Sequence, residues 1–354
     1  MTSDPSREQP TDRAKPDGAE NSSAPSGPTR SEFESQVAHA RENLESQVAH
    51  ARENIESQVA QARESFDLAN ERIKERTGRD LLLAIATGVV IGAVVLGSLL
   101  FLKESFVVIV LAGGLLATWE LTRAFQSGGR RIDLAPQLIV TAGLICSAFF
   151  VNAWTVWMLL FVGIAVIVIW RLLAQMSSSD GRIYGDVLAD VMAGGFIAIY
   201  VSLFASMLVL LLREPHGELW ALTMIAVAVA ADTGAYVTGL TLGKHPMAPR
   251  VSPNKTWEGF AGGALFALVA GVLMCWLLIG TPWWVGLIVG AAILASATLG
   301  DLGESMLKRD LRIKDMSSWF PGHGGLLDRL DSILPSVVVI FALYQLFSPL
   351  AVAS

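Results

Sequence analysis

From residue 81 onward, long apolar runs alternate with short polar connections. Each run approaches the ~20 residues that a helix rising about 1.5 Å per residue needs to cross a hydrocarbon core. About nine runs follow one another, over 81–102, 106–125, 134–151, 154–173, 187–212, 219–241, 257–279, 283–299 and 333–347. The pattern predicts an all-α fold, a polytopic integral membrane protein with about nine transmembrane helices occupying 79–354. The segment before it reads differently. Residues 1–30 are rich in Pro, Ser, Gly and charge and hold almost no large apolar side chain, so burial cannot offset chain entropy and disorder is expected there. Residues 34–66 then repeat with a period of 11, as ESQVAHARENL, ESQVAHARENI and ESQVAQARESF. Phe33, Val37, Leu44, Val48, Ile55, Val59, Phe66 and Ile73 form one apolar stripe on a helix of about 3.67 residues per turn. This predicts an N-terminal amphipathic helical arm over 31–78. The arm reads either as a solvated, weakly self-associating coiled coil or as a helix lying along the membrane surface. The stripe is thin in aromatics and the polar face carries Glu as well as Arg, which favours the first reading.

Composition agrees with lipid as the solvent: 53% of residues are hydrophobic and 16% charged, with a mean hydropathy of +0.51. The net charge of −6 hides a regional asymmetry. Acidic residues crowd the arm, while Arg130, Arg131, Arg182, Lys244, Arg250, Lys255, Lys308, Arg309, Arg312, Lys314 and Arg329 fall in loops after even-numbered spans. Loops after odd-numbered spans offer Lys103 and Arg213. By the positive-inside rule the even loops and the arm are cytoplasmic and the C-terminus lies outside. Trp154, Trp220, Trp257, Trp283 and Trp284 near span ends fit an interfacial aromatic belt. Cys146 and Cys275 lie inside apolar stretches and read as packing residues. The first residues contain no apolar core of a signal peptide, so no cleavage is expected.

Chemistry gathers in the connection SMLKRDLRIKDMSSWFPGHGGLLDRLDS, residues 305–332. A cytoplasmic loop needs only a few Lys or Arg; this one adds Asp310, Asp315, Asp328 and Asp331. Carboxylates are hard donors that hold Mg²⁺, and Lys and Arg match phosphate oxygens, so the mixture suits a metal–nucleotide site. Gly324 and Gly325 allow close approach of backbone N–H groups, and Asp328 and Asp331, three residues apart, share a helix face. Upstream, GDLGES places Asp301, Glu304, Ser305 and Lys308 along one face of a helix continuing from an apolar span. Asp232 stands inside the apolar run AVAVAADTGAY. An ionisable group at that depth is a functional candidate, with hydrogen bonding to a neighbouring helix as the alternative. A second polar connection, GKHPMAPRVSPNKTWEG over 243–259, supplies Lys244, Arg250, Lys255, Ser252 and Thr256 for anion binding. His323, a lone loop histidine, reads by itself as structural.

These motifs carry a resemblance. Ser305-x-Leu307-Lys308-Arg309, Lys314-Asp315, Pro321-Gly322-His323-Gly324-Gly325 and Asp328-Arg329-x-Asp331 together resemble the signature of bacterial phosphatidate cytidylyltransferases, also called CDP-diglyceride synthetases. Asp232-Thr233-Gly234-Ala235-Tyr236, Gly243-Lys244, Ser252-Pro253-Asn254-Lys255-Thr256-x-Glu258-Gly259 and Gly300-Asp301-Leu302-x-Glu304-Ser305 are similar to that family in the same order. The resemblance is densest over 231–331 and does not reach the repeat arm. It departs at Ser317 and Trp319, where many relatives carry Gly followed by Leu-like residues; a small residue is kept. The resemblance implies that CTP and phosphatidic acid give CDP-diacylglycerol and pyrophosphate, with Mg²⁺ required and K⁺ as a candidate second cation. It implies that Asp232, Asp301, Asp328 and Asp331 surround the metal, and that Asp328, Asp331, Lys308, Arg309 and His323 serve catalysis. Lys244, Ser252, Lys255, Thr256, Ser305, Lys314, Gly324, Gly325 and Arg329 are then expected to contact substrate. The expected setting is the bacterial inner membrane, multi-pass, as a homodimer with no nucleic-acid partner. A lipid-alcohol kinase, a cytidylyltransferase for another lipid, a transporter and a scaffold working through the arm are the competing readings. The charges gather on one face rather than along a pore, which argues against transport.

Overall fold

The computed structural model describes residues 81–178, 181–313, 315–317 and 325–351. The disordered segment and repeat arm expected over 1–78, and the candidate residues Lys314, His323 and Gly324, lie outside the described residues. The apolar runs become α1 (Leu81–Phe101), α2 (Lys103–Ser127), α3 (Leu134–Phe150) and α4 (Ala153–Met176). There follow α5 (Tyr184–Ile197), α6 (Phe204–Arg213), α7 (Gly217–Leu242), α8 (Trp257–Leu273), α9 (Trp283–Asp310), α10 (Leu327–Leu330) and α11 (Ile333–Phe347). Wide π-turns at Ala198–Leu203 and Met274–Ile279 join α5 to α6 and extend α8, so that Tyr184–Arg213 and Trp257–Ile279 are single apolar rods. Among the described residues seven helical stretches are long and apolar enough to cross a membrane; Gly92–Phe101 and Leu134–Phe150 are shorter. The fold is an all-α membrane bundle, and seven of the nine expected spans reach full length among the described residues. The one departure in class is a small antiparallel hairpin, β1 (Pro246–Ala248) and β2 (Ser252–Thr256), inside the polar connection after α7.

Lipid gives helices no reason to avoid each other's backbones, so close packing of small residues does much of the assembly. The most extensive contact is α7 along α8, followed by α8 against α9. At the second crossing a methyl group on Gly290 would lie 2.7 Å from the Ala267 carbonyl oxygen and 2.9 Å from Leu268 Cα. Only hydrogen fits between these backbones. The helix axes are thereby fixed close together, and the C-terminal end of α9 emerges beside the start of α8 and the hairpin.

Polar fastenings sort to the two ends of the bundle. At one end Asp190 of α5, its side chain fully buried, takes Arg171 at 2.8 Å and Arg182 at 2.9 Å, and accepts the Arg131 N–H at 2.9 Å. Arg182 also donates to the Gly129 carbonyl at 2.9 Å. The connections after α2 and α4 are thus tied together, as expected for loops sharing one face. At the opposite end Arg213 donates to the carbonyls of Ala148 and Val151, Lys103 pairs with Glu218 at 2.7 Å, and Tyr344 donates to the Pro215 carbonyl at 3.2 Å. The few cations of the odd-numbered loops therefore fasten helices. Beneath the first end, Leu121, Phe125, Val201, Leu311, Met316 and Leu327 form an apolar cluster joining α2, the π-turn after α5 and the connection after α9.

Replacing Gly290 with Val overpacks the α8–α9 crossing. A loss of about 1–3 kcal/mol is expected, read as a lowered thermal midpoint of the detergent-solubilised protein; an unchanged midpoint contradicts this packing.

Candidate active site

The site is built on the last three turns of α9. Its face pattern splits in three dimensions: Asp301 looks toward α7, α8 and the hairpin, whereas Glu304 looks toward α5 and α10. On the first side a cavity of about 320 Å³ holds Asp232, Tyr236, Asn254, Lys255, Thr256 and Asp301 along its wall. Lys255 Nζ forms an ion pair with Asp301, whose other carboxylate oxygen accepts a 3.4 Å hydrogen bond from Ser305. Asp232 makes no hydrogen bond among the described residues, so the packing alternative has no support here. On the second side a cavity of about 300 Å³ is walled chiefly by apolar residues, including Phe196, Phe204, Leu307 and Pro335, with Glu304 as its acidic residue. One helix therefore separates a charged cavity from an apolar one.

Lys308, one turn beyond Glu304, closes the arrangement. Its ammonium reaches Glu304 at 3.1 Å and Asp328 at 2.8 Å. The second oxygen of Asp328 accepts the N–H groups of Gly325 at 2.8 Å and Met316 at 3.1 Å, so this carboxylate organises the connection around itself. Asp331 follows α10 directly. Gly300 lets the Asp331 carbonyl press on α9, since a methyl there would clash with it and lie 2.8 Å from Pro335 Cγ. The Asp331 carboxylate accepts the Ser332 N–H at 2.6 Å and its hydroxyl at 3.1 Å, both on one oxygen. Tyr200, in the π-turn, donates to the Asp331 carbonyl at 3.5 Å; such wide turns recur at functional sites.

The hairpin is positioned by its own polar groups. Glu258 on the first turn of α8 accepts the N–H groups of Lys244 at 3.1 Å and His245 at 3.2 Å, and meets His245 Nδ1 at 2.5 Å. Thr256 accepts the Gly259 N–H at 3.1 Å, as an N-cap does, which aligns β2 with α8 and holds Lys255 over Asp301. Ser252 pairs with Ala248 at the other end of the hairpin, and Lys244 is exposed beside it. Arg309 reaches the Val251 carbonyl at 3.4 Å, and Arg329 is exposed on α10.

The structure thus brings Lys255, Asp232 and Asp301 to one cavity, and Lys308, Gly325 and Asp328 to one knot. Asp328 and Asp331 engage different partners: Lys308, Gly325 and Met316 for the first, Ser332 for the second. Among the described residues no three His, Cys, Asp or Glu side chains converge to hold a metal ion; Lys255 and Lys308 stand against the carboxylates instead. Glu120 was not singled out from the sequence, and Glu258 and Glu304 entered only as motif positions without an assigned role. For Glu120 and Glu304 a signal existed, a carboxylate within or at the edge of an apolar run.

A sequence model described as the cytidylyltransferase family matches residues 83–347. The chain belongs to the cytidylyltransferase family. Among the relatives of this cytidylyltransferase-family chain, the protein named phosphatidate cytidylyltransferase from Mycobacterium bovis is 38% identical over 284 residues, covering 77% of this chain and 90% of the relative. That of Mycobacterium tuberculosis H37Rv is also 38% identical, over 77% of this chain and 84% of its own. A Haemophilus influenzae protein of the same name is 42% identical over 141 residues, 38% of this chain and 49% of the relative.

Replacing Lys308 with Met leaves Glu304 and Asp328 without their shared cation. Lys308 and Asp328 are part-buried, and losing such a charged hydrogen bond costs about 1.5–3 kcal/mol, so the thermal midpoint in detergent is expected to fall below that of Lys308→Arg; equal midpoints contradict the knot.

Proposed function

We propose that this cytidylyltransferase-family protein is a phosphatidate cytidylyltransferase. It transfers CMP from CTP to phosphatidic acid, giving CDP-diacylglycerol and pyrophosphate for phospholipid synthesis. The observation that carries the reading is the end of α9, where cations and carboxylates stand between a charged cavity and an apolar one. A nucleotide and a lipid phosphate need that combination at one place.

The lipid phosphate is already an anion and needs no strong general base. One of its oxygens attacks the α-phosphorus of CTP; the new P–O bond forms as the bond to the β-phosphate oxygen breaks, and that oxygen leaves on pyrophosphate with its electron pair. Alignment and charge neutralisation then do most of the work. Lys255 and Lys244 on the hairpin side, and Lys308, Arg309, Lys314 and Arg329 on the other, hold the phosphates and offset charge on the leaving group. Ser252, Thr256, Ser305 and Gly324 supply neutral donors, Gly325 keeps the backbone close beside the substrate while its N–H holds Asp328, and His323 donates to a phosphate oxygen. The lysine pairs compensate the carboxylates until anionic substrate draws the ammonium groups toward its phosphates.

The donor set fits Mg²⁺: the acids are hard oxygen ligands, Asp232 makes no hydrogen bond among the described residues, and Asp331 uses one oxygen for both of its own. Asp232, Asp301, Asp328 and Asp331 would hold it, with K⁺ as a second cation. When bound, such a cation neutralises developing charge on the phosphates. Loops rich in Arg and Lys after even-numbered spans support a cytoplasmic site in a bacterial inner membrane, with CTP arriving from water and lipid entering sideways between helices. The protein works as a homodimer.

Purified protein given CTP and Mg²⁺ is expected to form liponucleotide and pyrophosphate from phosphatidate but not from polyprenyl alcohols. Asp331→Asn is expected to lower that turnover about 100-fold or more while membrane insertion persists. Product from the alcohol alone, or near-normal turnover in the variant, contradicts the assignment.

A further inference from the structure

Glu120 is absent from the motifs that carry the family resemblance, yet it holds the site's main loop. It sits in the apolar stretch of α2 and is completely buried, at 0% exposure. A carboxylate there is costly unless its oxygens are fully used. Its hydrogen-bond donors are the Ser317 hydroxyl at 2.5 Å, the Leu326 N–H at 3.0 Å and the Leu327 N–H at 2.8 Å. All three belong to the connection between α9 and α11, about 200 residues further along the chain than Glu120. Asp328 grips the same connection from the other side, through the N–H groups of Met316 and Gly325. The two carboxylates bracket consecutive backbone donors, Gly325 on Asp328 and Leu326 with Leu327 on Glu120. The direction of the chain entering α10, and so the placement of Asp328 and Asp331, follows from both.

We infer that Glu120 is a positioning residue for the cytidylyl-transfer site, anchoring the connection after α9 to the membrane helix α2. The inference rests on the proposed activity for its functional consequence, though not for its structural one. Glu120 touches no cavity wall of the charged site, so it acts through the loop rather than on substrate. An amide in its place keeps the volume but turns one acceptor into a donor facing a backbone N–H, and Ala leaves buried N–H groups without a partner.

The test uses the full-length protein in detergent with Glu120→Gln, Glu120→Ala and Glu120→Asp. Two readouts are taken: tryptic cleavage after Arg312, in the anchored connection, against cleavage after Arg250, in the hairpin that Glu120 does not touch; and KM for CTP. Both arginines are exposed in the described structure. Cleavage after Arg312 is expected to accelerate about tenfold or more in the Gln and Ala variants with Arg250 unchanged, and KM to rise about tenfold. Glu120→Asp, which keeps the charge, is expected to fall between wild type and Gln on both. KM is a property of each active molecule and does not move when part of the preparation is merely unfolded. Unchanged cleavage after Arg312, equal acceleration at both arginines, or a wild-type KM would overturn the inference. If the wild-type protein makes no liponucleotide, the proposed activity fails while the cleavage arm still decides the anchor.

Discussion

Two lysines decide whether α9 can end as it does. Asp301 and Glu304 stand where a membrane helix leaves its apolar stretch, and carboxylates at that depth need nearby positive charge. Lys255 arrives from the hairpin before α8 to meet Asp301, and Lys308 bends back to meet Glu304 while reaching across to Asp328. Each pairing neutralises a charge and also fastens a loop. The hairpin and the connection after α9, distant in sequence, thereby converge on one helix end.

That convergence depends on what lies deeper in the bundle. Close backbone approach at Gly290 fixes α9 against α8, and α8 begins immediately after the hairpin, capped by Thr256. A shift along this crossing would carry Asp301 away from Lys255. On the other side Gly300 admits the Asp331 carbonyl against α9, so the final helix starts beside the site. Rigid apolar rods place a polar site whose own groups are few and largely used in holding each other. Substrate phosphates, richer in negative charge than any single carboxylate, can compete for those lysines, which gives the resting ion pairs a reason beyond stability.

Much of this was legible in the chain. Most apolar runs gave the helices to within a few residues, because length and hydropathy mark a spanning helix; α9 runs on eleven residues past its apolar run, to Asp310, as a polar helix end. The even-numbered loops do gather at one end, since their cations compensate acids that the same loops and helix ends carry. Spacing along α9 correctly placed Asp301 and Lys308 at a helix end, but it could not tell that Asp301 and Glu304 face different cavities. That division depends on which neighbours flank the helix. The β-hairpin was illegible because strands of three and five residues in a Pro- and Lys-bearing loop have no apolar alternation. Glu120 carried the mark of a carboxylate within an apolar run, but its partners, the Ser317 hydroxyl and two backbone N–H groups about 200 residues away, could not be read from spacing. Of the four acids expected around a metal, Asp301 pairs with Lys255 and Asp328 with Lys308, while Asp232 lines the Asp301 cavity and Asp331 accepts from Ser332.

Ion pairing between Lys255 and Asp301 couples the hairpin to α9. A double-mutant cycle on Lys255→Met and Asp301→Asn, read as thermal stability of the substrate-free protein in detergent, tests it most directly. A coupling of about 1 kcal/mol or more is expected, with the double variant no less stable than the worse single variant. Additivity of the two substitutions within about 0.5 kcal/mol would contradict it.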